Sequence, residues 1–274
     1  MQQENILRPF IRWAGGKQTL IKHLQANLPD KTLVKRYWEP FLGAGSLFFA
    51  NDFKKAELSD VNSQLINSYN QIKKDPKAVY DLLQFFKDNF NTSYYYQLRL
   101  LYNNQIDECS VEQAARFIFL VHTCFNGIYR VNAKGHYNVP IGKMNPSLPS
   151  YEHLVTISKK LKGIKIVNRS YADILIAVKE KDFIYLDPPY PKLDDKDQFQ
   201  QYTPDKFSQK HQIELAEFAN KLRAIGCFVM ISNSKVPLIE ELYKDWIIEE
   251  VPVIRYVSCK KERIKLQELI IKNY

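Results

Sequence analysis

Phe183-Ile184-Tyr185-Leu186-Asp187-Pro188-Pro189-Tyr190 decides the fold. Four apolar residues form a short buried strand, an acid follows at its carboxyl end, and two prolines stop the strand by removing backbone donors. Similar short apolar runs recur at 37–41 (YWEPF), 56–59 (AELS), 164–167 (IKIV), 227–232 (CFVMIS) and 266–272 (LQELIIK). Helical patterns separate several of them, notably at 46–51 and 209–224. Parallel strands require such crossovers, so the expected fold is α/β, with a doubly wound, mostly parallel sheet. The rhythm breaks between the second and third strands. Helix-like periodicity (LINSYNQIKK, AVYDLLQFFKDNF, VEQAARFIFLVHTCF) is followed by an irregular Gly/Asn/Pro-rich stretch at 126–149. Residues 1–62 and 164–274 therefore read as a sheet domain, and residues 63–163 as a helical insertion.

Composition narrows the function classes. The chain has 274 residues, 45% hydrophobic and 25% charged, which is the make-up of a folded protein rather than a disordered one. Lys and Arg (39) exceed Asp and Glu (30) for a net charge of +9, favouring a polyanionic partner. The 17 Tyr and 16 Phe have two readings, core mass or groups that stack on unpaired bases. Cys109, Cys124, Cys227 and Cys259 form no C-x-x-C pair and lie near no histidine at zinc spacing, so no metal is expected and a reduced intracellular setting is. The opening MQQENILRPF lacks the basic and apolar regions of a signal peptide, and no apolar run approaches the roughly 18 residues of a membrane span. A soluble cytoplasmic protein is the expectation.

Ligands of open α/β sheets bind at the carboxyl ends of the strands, where Asp187 falls. A carboxylate and the Pro188 carbonyl can both accept hydrogens from one amino group, and the Tyr190 ring can stack on the planar system carrying it. The opposing reading is a Pro-Pro pair that only ends a strand. Glu39-Pro40-Phe41-Leu42-Gly43-Ala44-Gly45-Ser46 ends the first strand and opens a helix, and Gly43 and Gly45 allow close approach of a ligand to the backbone. Position 48 is Phe, so the dinucleotide G-x-G-x-x-G is absent. Asp60 ends the next strand, either as a ribose ligand or as a helix N-cap. Arg12-Trp13-Ala14-Gly15-Gly16-Lys17 lacks the first glycine and the Ser/Thr of a P-loop, leaving a Gly-Gly turn or an anion site. Arg130 and Asn126, in the segment 126–132 (NGIYRVN), are side-chain types that read guanine and adenine edges, or they belong to an ordinary polar loop. Near the C-terminus Arg255, Lys260, Lys261, Arg263, Lys265 and Lys272 form a phosphate-contacting strip or a solvated hairpin.

These segments together resemble the Dam-type DNA adenine methyltransferases in the α arrangement: the FxGxG segment first, then a target-recognition insertion, then DPPY. The resemblance runs from RWAGGK through EPFLGAGS, SDVNS, FNGIYRVN, NVPIG, SYAD and LDPPY to ISNS. It implies a Rossmann-like methyltransferase sheet, S-adenosylmethionine as methyl donor, and the 6-amino group of a flipped adenine in double-stranded DNA as acceptor. By position it assigns catalysis to Asp187, Pro188 and Tyr190, and the cofactor to Trp13, Lys17, Phe41, Gly43, Gly45, Asp60 and Asp187. Tyr171, Ala172 and Asp173 line the cofactor's adenine or the neighbouring pocket. DNA contacts fall to Arg12, Phe125, Asn126, Ile128, Arg130, Pro140 and Arg263, with GATC as the implied site and a monomer sufficient. The compact segment 257–263 (VSCKKER) stands where many relatives carry a Gly- and Ser-rich basic loop. A cytosine 4-amino methyltransferase and a catalytically inactive DNA-binding relative are the alternatives. Protein-glutamine enzymes typically carry Asn in place of Asp187.

Overall fold

The structure is a computed structural model that describes residues 6–142, 147–191, 207–256 and 263–274. In chain order its elements are α1 (Ile21–Ala26), β1 (Tyr37–Glu39), α2 (Ser46–Phe49), β2 (Ala56–Asp60), α3 (Ser63–Lys74), α4 (Pro76–Asp88), α5 (Thr92–Asn104), α6 (Val111–Thr123), α7 (Tyr151–Leu161), β3 (Lys165–Asn168), β4 (Phe183–Leu186), α8 (Gln209–Ile225), β5 (Phe228–Ser234), α9 (Pro237–Leu242), β6 (Ile247–Tyr256) and β7 (Arg263–Lys272). The seven strands form one sheet in the order β3-β2-β1-β4-β5-β7-β6. β2, β1, β4 and β5 run parallel, and β7 joins β5 and β6 antiparallel. The expected α/β, mostly parallel sheet is what forms. Strand order reverses between β1 and β4, so their carboxyl ends frame the crevice where such sheets take ligands.

β6 is the strand that the sequence reading lacks. Glu249, Glu250 and Pro252 interrupt its apolar pattern, but β6 is an edge strand, where a proline can turn its missing donor side away from the ladder. The C-terminal basic stretch is accordingly part of a long antiparallel pair, with Arg263 opposite Tyr256. Lys260 and Lys261 lie outside the described residues.

The chain divides into two compact units. The first comprises residues 1–16, 43–50 and 59–169. Its helices α3 to α7 open on Asn62, Asp75, Asn91, Ser110 and Ser150, each of which accepts a backbone N–H from the first turn. α6 is buried nearly all round, as a central helix must be, whereas α4, α5 and α7 bury one face each. The second unit comprises residues 17–42, 51–58 and 170–274. Trp38, Ile184, Leu186, Leu215, Ile231 and Ile271 form part of its core, joining β1, β4, β5 and β7 to α8. Trp38 also donates its indole N–H to the buried Asp182 carboxylate at 2.9 Å, which ties β1 to the turn before β4. Most of the large aromatics are core, including Tyr37, Tyr69, Tyr95, Tyr102 and Tyr185. No helix among the described residues is long and apolar enough to cross a membrane.

Candidate functional site

In the second unit, β4 delivers Asp187 to the reversal point of the sheet. Lys17, only 5% exposed, places Nζ 2.8 Å from Asp187 Oδ1, and the same ammonium lies 4.7 Å from the centre of the Tyr190 ring. The Gly-Gly turn at 15–16 therefore precedes a buried, ion-paired lysine. Tyr190 donates its hydroxyl to Glu268 Oε2 at 2.9 Å, and Glu268 itself is buried on β7. Burial, reinforced by the charges of Asp187 and Glu268, holds the Tyr190 hydroxyl well above the ordinary phenol range, so it remains a donor. Beneath the turn, Tyr37 donates to Glu39 at 2.8 Å, and Tyr185 pairs with Ser232 at 2.8 Å. Phe41 stacks on Tyr171 at 5.0 Å and meets Phe207 edge-on at 6.0 Å, making an aromatic wall. Ala172 and Asp173 follow Tyr171 as exposed residues.

In the first unit, Gly43 and Asp60 are bound to each other. Gly43 has φ +46, and a Cβ there would sit 2.9 Å from the Trp13 ring. Gly45 is the left-handed N-cap of α2, with φ +66. Asp60 Oδ2 accepts the Gly43 N–H at 3.0 Å, and Oδ1 accepts that of Asn62 at 2.9 Å. The helix-cap role open to Asp60 belongs instead to Asn62, whose side chain accepts from Gln64 and Leu65 at the start of α3. Burial pushes the Asp60 carboxyl above the ordinary aspartate range, against the backbone N–H groups of Asn62, Gly43 and Val61 that pull it down. Tyr69 donates to the Gly43 carbonyl at 3.0 Å, and Trp13 stacks on Tyr129 at 5.5 Å.

The same unit gathers the loop residues. Phe125 donates its N–H to the Pro140 carbonyl at 2.9 Å, and the Arg12 side chain lies against Gly127, within 3.3 Å of where a Cβ would stand. Asn126 adopts φ +56 and is exposed, and Ile128 is half-buried. Phe125 is 47% exposed, unusual for a phenylalanine among so many buried ones. Arg130 donates Nε to Asn138 Oδ1 at 2.8 Å on the exposed surface. α5 anchors this loop from beneath: Tyr95 and Arg99 both donate to the Val139 carbonyl, and Asn103 pairs with the Tyr137 backbone in both directions. Five of the loop-set residues, Arg12, Phe125, Asn126, Arg130 and Pro140, are exposed on this unit.

Residues 13–257 match the model of the D12 class N6 adenine-specific DNA methyltransferases. The chain belongs to this family. It is 39% identical over 274 residues to the type II methyltransferase M1.LlaDCHI of Lactococcus lactis subsp. cremoris, covering 98% of this chain and 96% of that one. Type II methyltransferase M.MjaIII of Methanocaldococcus jannaschii is 36% identical, with 98% and 99% covered. The DNA adenine methylase of Salmonella typhi is 34% identical over 267 residues, with 96% and 94% covered. Within the methyltransferase, Glu268 is a site neighbour that sequence reading did not single out. Its signal was a lone acid inside the apolar run LQELIIK.

Proposed function

We propose that this methyltransferase transfers the methyl group of S-adenosylmethionine to the 6-amino group of an adenine flipped from duplex DNA, within GATC. The observation that carries the reading is Asp187 at the end of β4, with Lys17 at Oδ1 and the Tyr190 ring anchored through Glu268. An amine lone pair delocalised into a ring is a poor nucleophile. Acceptance of its hydrogens by Asp187 and the Pro188 carbonyl localises that pair, while Tyr190 stacks on the base. A carboxylate offers about four acceptor sites, so pairing with Lys17 is compatible with this role. A base inside the duplex is out of reach, so it must leave the stack. Methylation of plasmid DNA with labelled S-adenosylmethionine, followed by nucleoside analysis and mapping of flanking bases, tests the proposal. Methyl groups on cytosine, or on adenines outside GATC, overturn it.

Bound S-adenosylmethionine supplies an electrophilic sulfonium methyl. The residues fit such a group: Gly43 lies too close to the Trp13 ring to carry a side chain and so leaves its backbone open to a ligand, and Asp60 keeps acceptor capacity beyond its backbone partners Gly43, Asn62 and Val61. Trp13, Lys17, Phe41, Gly43, Gly45, Asp60 and Asp187 are the proposed cofactor residues. Because burial raises the Asp60 pKa, this carboxylate takes up a proton at a pH where an exposed aspartate is still charged. Cofactor affinity is therefore expected to fall on acidification before an ordinary aspartate would titrate. Asp60→Asn binds weakly and without that acid limb, as calorimetric titration across pH would report.

Residues 63–163 are proposed as the target-recognition insertion, with Arg12 and Arg263 as further DNA contacts. Phe125 wedges into the stack that the adenine leaves, beside Asn126, Ile128 and Pro140. Arg130, displayed next to Asn138, reads guanine. Arg130→Ala should relax discrimination at one outer base pair by about 1–3 kcal/mol. Competition between cognate and singly substituted duplexes measures it, and an equal loss on all sequences would mean a phosphate contact.

A further inference from the structure

Behind the Asp187–Tyr190 turn lies a run of buried amides. Gln212, in the first turn of α8, and Asn233, near the end of β5, are both 0% exposed. Gln212 Nε2 donates to the Pro189 carbonyl at 2.9 Å. Asn233 Nδ2 donates to Gln212 Oε1 at 3.1 Å, and Asn233 Oδ1 accepts the Ser234 backbone N–H at 2.9 Å. The hydrogen bonds all point one way, from the Ser234 amide to the Pro189 carbonyl. A backbone donor at one end and a backbone acceptor at the other determine which end of each side-chain amide is nitrogen.

That polarity has a cause in the turn. Pro188 and Pro189 carry no N–H, so their carbonyls are the only main-chain groups by which hydrogen bonds can hold them. Tyr190 is held separately, through its hydroxyl on Glu268. The turn is thus gripped at two successive residues, from α8 and from β7. Gln212 shares the buried face of α8 with Leu215, Ala216 and Ala219, where an apolar residue would pack without needing partners. Burying an amide there is tolerated because both its ends are satisfied.

We propose that Gln212 and Asn233 are positioning residues for methyl transfer: a relay of fixed polarity that sets the Pro189 carbonyl and, through it, the direction in which the Pro188 carbonyl and Asp187 meet the acceptor amine. The proposal rests on the function proposed above. Neither residue touches the acceptor, so their effect appears in the transfer step rather than in DNA affinity.

Two variants test it. Gln212→Met keeps the length and removes the donor. Its single-turnover methylation rate is expected to drop about 10- to 100-fold, since a misplacement of about an ångström costs up to 10²-fold, with DNA Kd near wild type. Gln212→Glu donates to the Pro189 carbonyl only as the neutral acid. Its rate, divided by the wild-type rate at each pH, is expected to fall as pH rises, which a space-filling role would not produce. A ratio independent of pH overturns the proposal, whatever Gln212→Met does. If Gln212→Met fails to fold, the Gln212→Glu profile decides alone. Absence of adenine methylation by the wild-type chain overturns the proposed function. Wild-type transfer with unaffected Gln212 variants overturns the relay only.

Discussion

Asp187→Ala is expected to lower methyl transfer by at least about 10²- to 10³-fold, the range found when a preorganised polar partner of a reacting group is removed. The alanine loses both the proposed acceptor for the amine hydrogens and the partner of Lys17 Nζ at 2.8 Å. Asp187 lies at the end of β4, outside the packed run Phe183–Leu186, so the apolar packing of the sheet does not depend on its side chain, and the stability lost by stranding Lys17 lowers the unfolding midpoint without changing the fold. Circular dichroism should therefore stay native while single-turnover methylation disappears. Asp187→Asn sharpens the test, because the amide keeps a carbonyl acceptor near its original place but carries no charge. Intermediate activity there, with none in the alanine variant, would place the effect on hydrogen acceptance with charge as a second contribution. Wild-type-like transfer in Asp187→Ala would sink the mechanism.

What the sequence disclosed follows from how local each signal is. β4 and the Asp187 turn are one contiguous pattern, and so are Gly43, Gly45 and the helix that follows them. A carboxylate at a strand end is visible from its neighbours in the chain. Asp60 was legible as a residue with two possible roles, and only the fold assigned the capping role to Asn62 two positions on. β6 was hidden because an edge strand tolerates charge and proline, which a periodicity rule counts against it. Glu268 and Gln212 were hidden for a different reason. Each is a single polar residue in an apolar stripe, and sequence cannot say whether such a residue is a defect or a partner of something distant. Tyr190 and Glu268 are 78 positions apart, and Gln212 and Pro189 are 23 apart. The excess of tyrosine resolved in the same way. Tyr69 and Tyr95 are core rings whose hydroxyls reach the Gly43 and Val139 carbonyls, so they brace the turn at Gly43 and the loop at Val139 from the interior.

Lys17→Met carries the second large effect, this one on stability. Methionine keeps an unbranched apolar stem and loses the ammonium, leaving Asp187 without its cation at 2.8 Å. Removing one partner of a buried ion pair costs about 3–5 kcal/mol, far more than the pair contributes relative to an apolar replacement of both. The Lys17 side chain is 6% exposed and that of Asp187 19%. Partial access of water to the carboxylate places the expected loss near the lower end, about 3 kcal/mol. The double variant Lys17→Met with Asp187→Asn removes both charges and should be more stable than Lys17→Met alone. Chemical denaturation of the four proteins in that cycle gives the coupling directly. Lys17→Met should also slow transfer, since the ammonium holds one oxygen of the carboxylate proposed to accept from the amine and lies over the ring proposed to stack on the base. If Lys17→Met unfolds at the same denaturant concentration as wild type, the pair behaves as an exposed bridge, and the orientation of Asp187 must come from the turn and its tethers at Pro189 and Tyr190.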